Sequence, residues 1–514
     1  MKLLNKIILP ALLLVVVGLI TWHSLKNREL LPPQHTLEYA LQLAGKNRSE
    51  LEKVLEHYSR DKNDSLKLRA AKFLIMNCVY HESQSSHFED SQGNEIRFFP
   101  PDYKTSAEAY SVRNSLFSHA KCISEVNPDW RVISYDYLTR HIDAMFSVWQ
   151  STKWRKQVGF DRFCQYLLPY RASAEPISSW AAALNQKYRS CIDTATGIID
   201  NAKAINHALA GDIKYNPCWS ASISIQSVPD MFTSEGGMCD DLAMYSVCAM
   251  RACGIPATID FTIWARMNKG HCWGVVFDEQ GKAVSFGAGE QDPGEHIKVF
   301  SWKYHNLAKV FRTTFQPDET GLWARVKDIY SIPELFRQKN VMDVTSEYVP
   351  VYDIVLPIDN SLLTSDSLCY LCVYNVKKWV PVQWALVNNG KAVFTDMGSD
   401  IVYMPAKYEK GLLSPLSVPF IFDSDQQIKY LDGNGPGNQT VRIEKIIRGI
   451  GGGIKTKQKY QLFRWENQDW EFVREIEVLP DTSIIVNNLT SGYLYRFENG
   501  SRTFTAENNE ICWW

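Results

Sequence analysis

The segment GGMCDD, residues 236–241, opens the most informative part of this chain. Its two glycines allow a sharp turn, and after Cys239 apolar residues recur at spacings of three and four, as on one face of a buried helix. Gly254-Ile255-Pro256 then ends the predicted helix. Cys239 is therefore predicted at a helix N-terminus, where the helix dipole and free N–H groups stabilise a thiolate.

A histidine that can serve this thiol follows in the segment Gly270-His271-Cys272-Trp273. His271 begins the run HCWGVVF, whose β-branched and aromatic content predicts a strand. An imidazole that accepts the thiol proton makes Cys239 a candidate nucleophile and His271 its candidate base. The alternative is that Cys239 packs in the core as a small hydrophobic residue. For Trp273 two interpretations stay open: a wall of the cleft that contacts substrate, or core.

Together these segments resemble the transglutaminase-like (papain-like cysteine) superfamily. The family pattern has a Gly-x-Cys helix start, an Arg-x-x-Gly-Ile-Pro-Ala exit and a His-x-Trp strand. Here the exit reads RACGIPA, residues 251–257, and the strand reads HCW, residues 271–273. The resemblance is specific over about residues 190–300. More loosely, three other segments resemble large multidomain transglutaminase-like proteins of Bacteroidetes-type bacteria: FCQYLLPYR (163–171), GKAVFTDMGSDIVYMP (390–405) and the ending FTAENNEICWW. The resemblance implies a papain-like α+β core with Cys239 and His271 as its catalytic residues.

The group that orients the imidazole departs from the family pattern. If HCWGVVF and KAVSF form a hairpin, we expect Phe277 to pair with Lys282. In that register the family aspartate falls near Gly287, which has no side chain to offer. Glu290 then lies on the face of His271, one diagonal step away, and is the predicted orienting carboxylate. The alternative is that no orienting group exists and the site is weak or inactive.

No cofactor or metal is predicted for this site. The backbone N–H of Cys239 is available for an oxyanion hole, and the side chain of Gln226 is a candidate second donor and substrate contact. Cys369 and Cys372 have the spacing of half a metal knuckle, yet no second pair accompanies them, and residues three apart on a strand face opposite ways. We interpret these two cysteines as structural.

Composition narrows the class of partner. The 514 residues include 55 basic and 57 acidic side chains, for a net charge of −2, and no block of like charge is long enough for a nucleic-acid arm. Nucleic acid is therefore excluded as an expected partner. Twelve cysteines leave two possibilities open, one or two disulfides or free thiols throughout.

The N-terminal residues 1–26 are predicted to be a signal peptide or an uncleaved membrane anchor. Lys2 and Lys6 precede an apolar run from Ile7 to Ile20, the order of a charged and a hydrophobic region. No small-x-small cleavage site follows, which favours an anchor in the membrane. In both cases the body of the chain is expected to be exported to the cell envelope.

The predicted fold is multidomain α+β, with a helical N-terminal region, a transglutaminase-like α+β core and all-β sandwich-type domains. Helical periodicity changes after Tyr348 to short alternating runs separated by Asn, Asp and Gly turns. The expected divisions are a helical region at 36–190, the transglutaminase-like domain at 191–340, a β-sandwich at 345–432 and a small β domain at 436–514.

The predicted function is that of a cysteine-dependent amide-bond enzyme that forms an acyl-enzyme. Its expected substrate is a peptide, protein or glycopeptide, and hydrolysis is favoured over crosslinking because water is abundant and no amine site is evident. The alternative is a catalytically degenerate protein that binds peptide or glycan at the cell envelope. In that case aromatic side chains of the β domains would contribute contacts: Trp465, Trp470, Trp513 and Trp514.

Overall fold

The computed structural model describes residues 35–234, 236–266, 269–295, 306–363, 367–444, 454, 458–498, 500 and 502–514. The predicted signal peptide or anchor, residues 1–26, lies outside these ranges. Within them, no helix is both long enough and apolar enough to cross a membrane.

Helices dominate the first part of the described chain, and strands dominate the last part. The α-helices are α1 Leu37–Leu43, α2 Arg48–Ser59, α3 Ser65–Asn77, α4 Ser106–His119, α5 Asp129–Val132, α6 Tyr135–Ser151, α7 Arg155–Tyr166, α8 Ala181–Tyr188, α9 Ile198–Asp212, α10 Val228–Ser234 and α11 Cys239–Ala252. The first ten β-strands are β1 Glu82–Glu89, β2 Glu95–Ile96, β3 Lys121–Pro128, β4 Lys214–Tyr215, β5 Gly236–Gly237, β6 Ala257–Ile263, β7 Gly270–Phe277, β8 Ala283–Phe286, β9 Phe311–Thr313 and β10 Val341–Asp343. The later strands are β11 Tyr352–Pro357, β12 Leu368–Asn375, β13 Lys378–Leu386, β14 Lys391–Met397, β15 Ile401–Glu409, β16 Leu412–Pro415, β17 Phe420–Phe422, β18 Ile428–Tyr430, β19 Gln439–Ile443, β20 Lys459–Glu466, β21 Asp469–Glu477, β22 Ile484–Leu489, β23 Tyr495–Phe497, β24 Thr503–Glu507 and β25 Glu510–Trp513.

The chain divides into two compact units. One holds residues up to 81 together with 128–138, and the other holds 82–127 and 139–514. In the first unit, α1, α2 and α3 bury an apolar stripe that includes Leu51, Val54 and Leu74.

The N-terminal region is mainly helical, as predicted, but it also contains a small sheet that the sequence analysis missed. Strands β1, β2 and β3 form this sheet in the order β2-β1-β3. The sequence of β1 is ESQSSHFE, and most of its side chains are exposed or half-buried. A strand with so few buried apolar residues lacks the alternation by which sequence reasoning finds strands.

The predicted α+β core is confirmed as helix α11 packed against a five-stranded antiparallel sheet of order β10-β9-β6-β7-β8. Residues 241–252 of α11 are all buried, so this helix is central. It ends at Ala252, just before the predicted stop at Gly254, whose φ of +80° is easily adopted only by glycine. Arg251, only 3% exposed, donates hydrogen bonds to the carbonyls of residues 166, 169, 171 and 257, which ties the helix end to its surroundings.

The predicted hairpin between HCWGVVF and KAVSF is present, but its predicted register is wrong by one residue. Phe277 pairs with Ala283, not with Lys282. The reason lies in the turn, where Asp278 Oδ1 accepts the N–H groups of both Gln280 and Lys282. These bonds keep Lys282 in the loop, and the ladder starts one position later.

The predicted all-β C-terminal region contains two cores. Strands β11 and β14 face the sheet β13-β12-β15-β17-β18 across an apolar cluster that includes Leu356, Val373 and Phe394. Ile263 and Ala265, at the end of β6 and just beyond it, also pack in this cluster. A second core fills the last domain, between β19-β22 and the sheet β21-β20-β23-β24-β25.

The aromatic residues suggested as ligand contacts in these domains are largely internal. Trp465 and Trp514 are 4% and 9% exposed and belong to an apolar cluster that joins the sandwich to the last domain. Trp470 packs against the same cluster, and Trp513 packs against the core of the last domain. Their main role is therefore packing.

Candidate active site

Cys239 is the first residue of α11, as the sequence predicts. Strand β5, formed by the two glycines, pairs in parallel with β4 and delivers the chain to the helix. Asp241 accepts the backbone N–H of Met238 at 2.9 Å, which caps the helix start. A Cβ on Gly237 would lie 2.3 Å from the Cβ of Asp241, so only glycine fits this entry.

The pKa of the Cys239 thiol falls from its ordinary value of 9.0 to about 4. The largest cause is a hydrogen bond from the side chain of Cys272. Burial opposes it by disfavouring the charged form, while the hydrogen bond and the charge of His271 lower the pKa further. The shift favours the thiolate, which is the form that acts as a nucleophile.

Cys272 is a site residue that the sequence analysis did not identify. On β7, Trp273, Val275 and Phe277 point into one apolar cluster, so Cys272 points to the other side of the strand, towards α11. Its own pKa is raised well above the ordinary value, first by the hydrogen bond to Cys239, so it stays protonated and remains a donor. Strand alternation places Cys272 on the face opposite Trp273 and His271, so the prediction of His271 as a site residue carried no signal for its neighbour. None of the twelve cysteines, all of which lie within the described residues, forms a disulfide.

His271 lies on β7 between two tryptophan rings. The Trp264 ring is nearly parallel to the imidazole, with centroids 6.1 Å apart and an interplanar angle of 12°. The Trp273 ring lies 5.6 Å from it at 37°. Trp273 is only 1% exposed and donates its Nε1–H to Tyr348 Oη at 2.9 Å. Of the two interpretations of Trp273, the structure favours core, and Trp264 is an aromatic neighbour of His271 that the sequence analysis missed.

A buried polar network backs the tryptophan behind His271. Tyr348 Oη donates to Asp260 at 2.6 Å, and Asp260 is 0% exposed. Arg312 holds Asp260 through two hydrogen bonds of 2.9 and 2.8 Å, and Glu347 through two more of 2.9 and 2.7 Å. Burial raises the pKa of Asp260, and the Arg312 charge opposes that rise. Charge-assisted hydrogen bonds of this kind hold Tyr348, and with it the Trp273 ring next to His271, in a fixed position.

Glu290 does not lie in the position that the predicted register gives it. The β7–β8 ladder ends at Gly274 and Phe286, and the chain then turns, with Gln291 N–H bonding to Gly287 O. Glu290 is exposed on this turn, and its carboxylate accepts a hydrogen bond from the side chain of Gln291 at 3.5 Å. Among the described side chains, no hydrogen bond or ion pair joins Glu290 to His271. The register argument for Glu290 is therefore wrong, and an orienting role for it stays a prediction.

Gln226 supports the helix entry. It is 4% exposed; its Nε2 donates to Gly236 O at 3.1 Å, and its Oε1 accepts from Ser234 Oγ at 2.8 Å. A further hydrogen bond from Gln226 lowers the pKa of Asp241, although burial raises that pKa overall, to about 6. The amide is thus occupied within the protein. Contact of Gln226 with an oxyanion or substrate stays a prediction.

A cavity of about 400 Å³ borders the nucleophile. It reaches the positions on either side of Cys239, namely Met238 and Asp240, and also Lys269, two residues before His271. Other wall residues supply hydroxyl and amide groups: Gln84, Ser220, Ser222 and Ser224. Among the residues with described side chains, no group of three or more His, Cys, Asp or Glu could hold a metal ion. The wall is mixed in character, because Trp219, Ile223 and Ile225 also line it.

Comparisons with known proteins agree with this geometry for part of the chain. Residues 183–311 match the model of the transglutaminase-like superfamily. A search of curated proteins gives no match. A solved structure of a proposed cysteine protease from Cytophaga hutchinsonii is similar at 22% identity and a TM-score of 0.19, over 22% of this chain and 38% of that one. This chain thus spans well under half of that protein. Residues 183–311, which include Cys239 and His271, therefore form a transglutaminase-like domain.

Proposed function

We propose that this protein is a cysteine-dependent hydrolase of amide bonds in peptides, proteins or glycopeptides. The observation that carries the proposal is the position of Cys239 at the start of a central helix, beside the side chains of Cys272 and His271, whose hydrogen bonds lower the pKa of its thiol to about 4. A core cysteine has the opposite character, since burial raises the pKa of Cys248 well above its ordinary value. The match of residues 183–311 to a superfamily of cysteine-dependent enzymes supports the same chemistry.

In the proposed reaction, the Cys239 thiolate attacks the carbonyl carbon of the amide and the oxygen becomes an oxyanion. The backbone N–H of Cys239, which has no acceptor within the helix, stabilises that charge. His271 gives a proton to the departing amine, and a thioester remains on Cys239. Water, deprotonated by His271, then attacks the thioester, which releases a carboxylic acid and restores the thiolate.

Hydrolysis and location are parts of the proposal that rest on the sequence. Hydrolysis is favoured because water is abundant and the sequence marks no amine site. The serine hydroxyl groups in the wall of the cavity next to Met238 and Asp240 suit a peptide or glycopeptide backbone. The charged and apolar order of residues 1–26 supports export to the cell envelope, with the membrane as a partner through that segment.

The test is alkylation of the intact protein with substoichiometric iodoacetamide, followed by mass mapping of the twelve cysteines. We expect Cys239 to react first, with a rate that falls only as the pH drops through about 4, since protonation removes the thiolate. An inflection at about 8.5, the value of an ordinary thiol, would overturn the proposed function. That result would favour the degenerate binding protein instead.

A further inference from the structure

The connection between β6 and β7 leads into the strand that contains His271. Residues of the β-sandwich domain form hydrogen bonds with this connection. Trp264 begins this connection and Lys269 ends it, one residue before the start of the His271 strand pairing. Trp264 N–H donates to Lys269 O at 3.2 Å, so the two ends close on each other. Any group that fixes this closure also fixes the approach of His271.

Asn375 is that group. It is the last residue of β12 in the sandwich and is 3% exposed. Its Nδ2 donates to the carbonyls of Trp264 and Lys269, both at 2.7 Å, and its Oδ1 accepts the N–H of Lys269 at 2.8 Å. Both donor hydrogens and the acceptor of the amide are thus engaged with the two ends of one loop, which few other side chains can imitate.

The backbone beside Asn375 is unusual in a way that agrees with a positioning role. Val376 and Lys377, which turn the chain from β12 into β13, have φ of +46° and +64°. A β-branched residue is a rare occupant of this left-handed region, where Asn and Gly are preferred. Strain of this kind is retained where the surrounding structure imposes a geometry.

Arg266, in the same connection, also contacts the β domains. Arg266 Nη2 donates to Asp400 O at 2.6 Å, and the guanidinium lies 4.7 Å from the ring of Trp514. Asp400 precedes β15 of the sandwich, and Trp514 follows β25 of the last domain. The β domains therefore hold the connection at its middle as well as at its two ends.

We propose that Asn375 is a positioning residue for the active site, and that it acts on His271 through Trp264 and Lys269. The inference rests on the proposed function, because it concerns the base of that reaction. Asn375 touches neither the nucleophile nor the substrate cavity. Its effect is transmitted by the nearly parallel Trp264 ring on one side of the imidazole and by the short link from Lys269 on the other.

The experiment compares Asn375→Ala with Asn388→Ala in the full chain. Asn388 is an exposed residue at the next hairpin of the same domain, so it is the matched control. For Asn375→Ala we expect the pH inflection of Cys239 alkylation to move upward and turnover to fall by about 10²-fold at unchanged KM, as small misplacements of catalytic groups do. The control should match the unmodified protein in both measurements.

An unchanged inflection in folded Asn375→Ala would overturn the inference, whatever happens to its unfolding midpoint. A merely structural role would lower that midpoint alone. If Asn375→Ala does not fold, Arg266→Gln decides, with a smaller upward move expected and an unchanged inflection as the contrary result. Alkylation needs no substrate, so failure here is separate from failure of the proposed function, which would show as an ordinary inflection in the unmodified protein.

Discussion

Removal of the Cys272 thiol gives a measurable test of how the nucleophile is made acidic. Cys272→Ala deletes the donor that is the largest cause of the low Cys239 pKa and leaves His271 and the helix start in place. A hydrogen bond to a charged group contributes about 1.5–3 kcal/mol, and one pKa unit corresponds to about 1.36 kcal/mol. The pKa of Cys239 should therefore rise by about one to two units in this variant.

The assay is the rate of Cys239 alkylation across the acid and neutral range, with the modified cysteine identified by mass. Cys272→Ser keeps an O–H donor and should give a smaller rise than Cys272→Ala. Cys248→Ala removes a buried thiol of α11 and should leave the inflection unchanged, which controls for general loosening of the core. If Cys272→Ala and the unmodified protein show the same inflection, the hydrogen bond between the two thiols does not stabilise the thiolate and the reasoning fails.

Three further outcomes are expected. His271→Ala should retain the fold but abolish turnover and raise the Cys239 inflection, because both the charge and the hydrogen bond of the imidazole are lost; full turnover in this variant would disprove its role as base. Arg312→Met should lower the free energy of unfolding at neutral pH by about 3–5 kcal/mol, because a buried Asp260 carboxylate loses its counter-ion. Without Arg312, the pKa of Asp260 in the folded protein rises further above its unfolded value. The loss of unfolding free energy should therefore be smaller at acidic pH, where Asp260 takes up a proton, than at neutral pH. Equal losses in urea unfolding at acidic and neutral pH would contradict this prediction. Glu290→Gln tests the remaining orienting prediction: several orders of magnitude in turnover should be lost if Glu290 orients His271, while an unaltered rate would mark it as a surface residue.

Elements with strong periodic patterns could be predicted from the sequence. Helix α11 begins at Cys239 and ends before Gly254 because the apolar spacing and the Gly-Ile-Pro stop act locally. Strand β7 contains enough β-branched and aromatic residues for its composition to predict a strand. The sheet of β1, β2 and β3 could not be found, since β1 is mostly polar and exposed and lacks the apolar alternation that predicts a strand.

The nucleophile and base could be predicted, but their surroundings could not. The Asp278 turn that shifts the β7–β8 register depends on side-chain-to-backbone bonds at two positions, and one residue of shift changes the face of every side chain beyond it. The Trp264 ring, the Asp260 network and Asn375 reach the site through tertiary contacts from other strands and another domain. No spacing in the sequence encodes such contacts.

The segment that leaves β6 has a consequence for the order of events during synthesis. Trp264 packs in the catalytic core, while its neighbours Ile263 and Ala265 pack in the core of the sandwich, whose strands are translated later. Chains fold largely from the N-terminus as they emerge, so Cys239 and His271 are made before the strands that complete their setting. We therefore expect a nascent chain halted before β12 to carry a thiol of ordinary reactivity. The reactive thiolate would then arise late, once the sandwich has closed over Ala265.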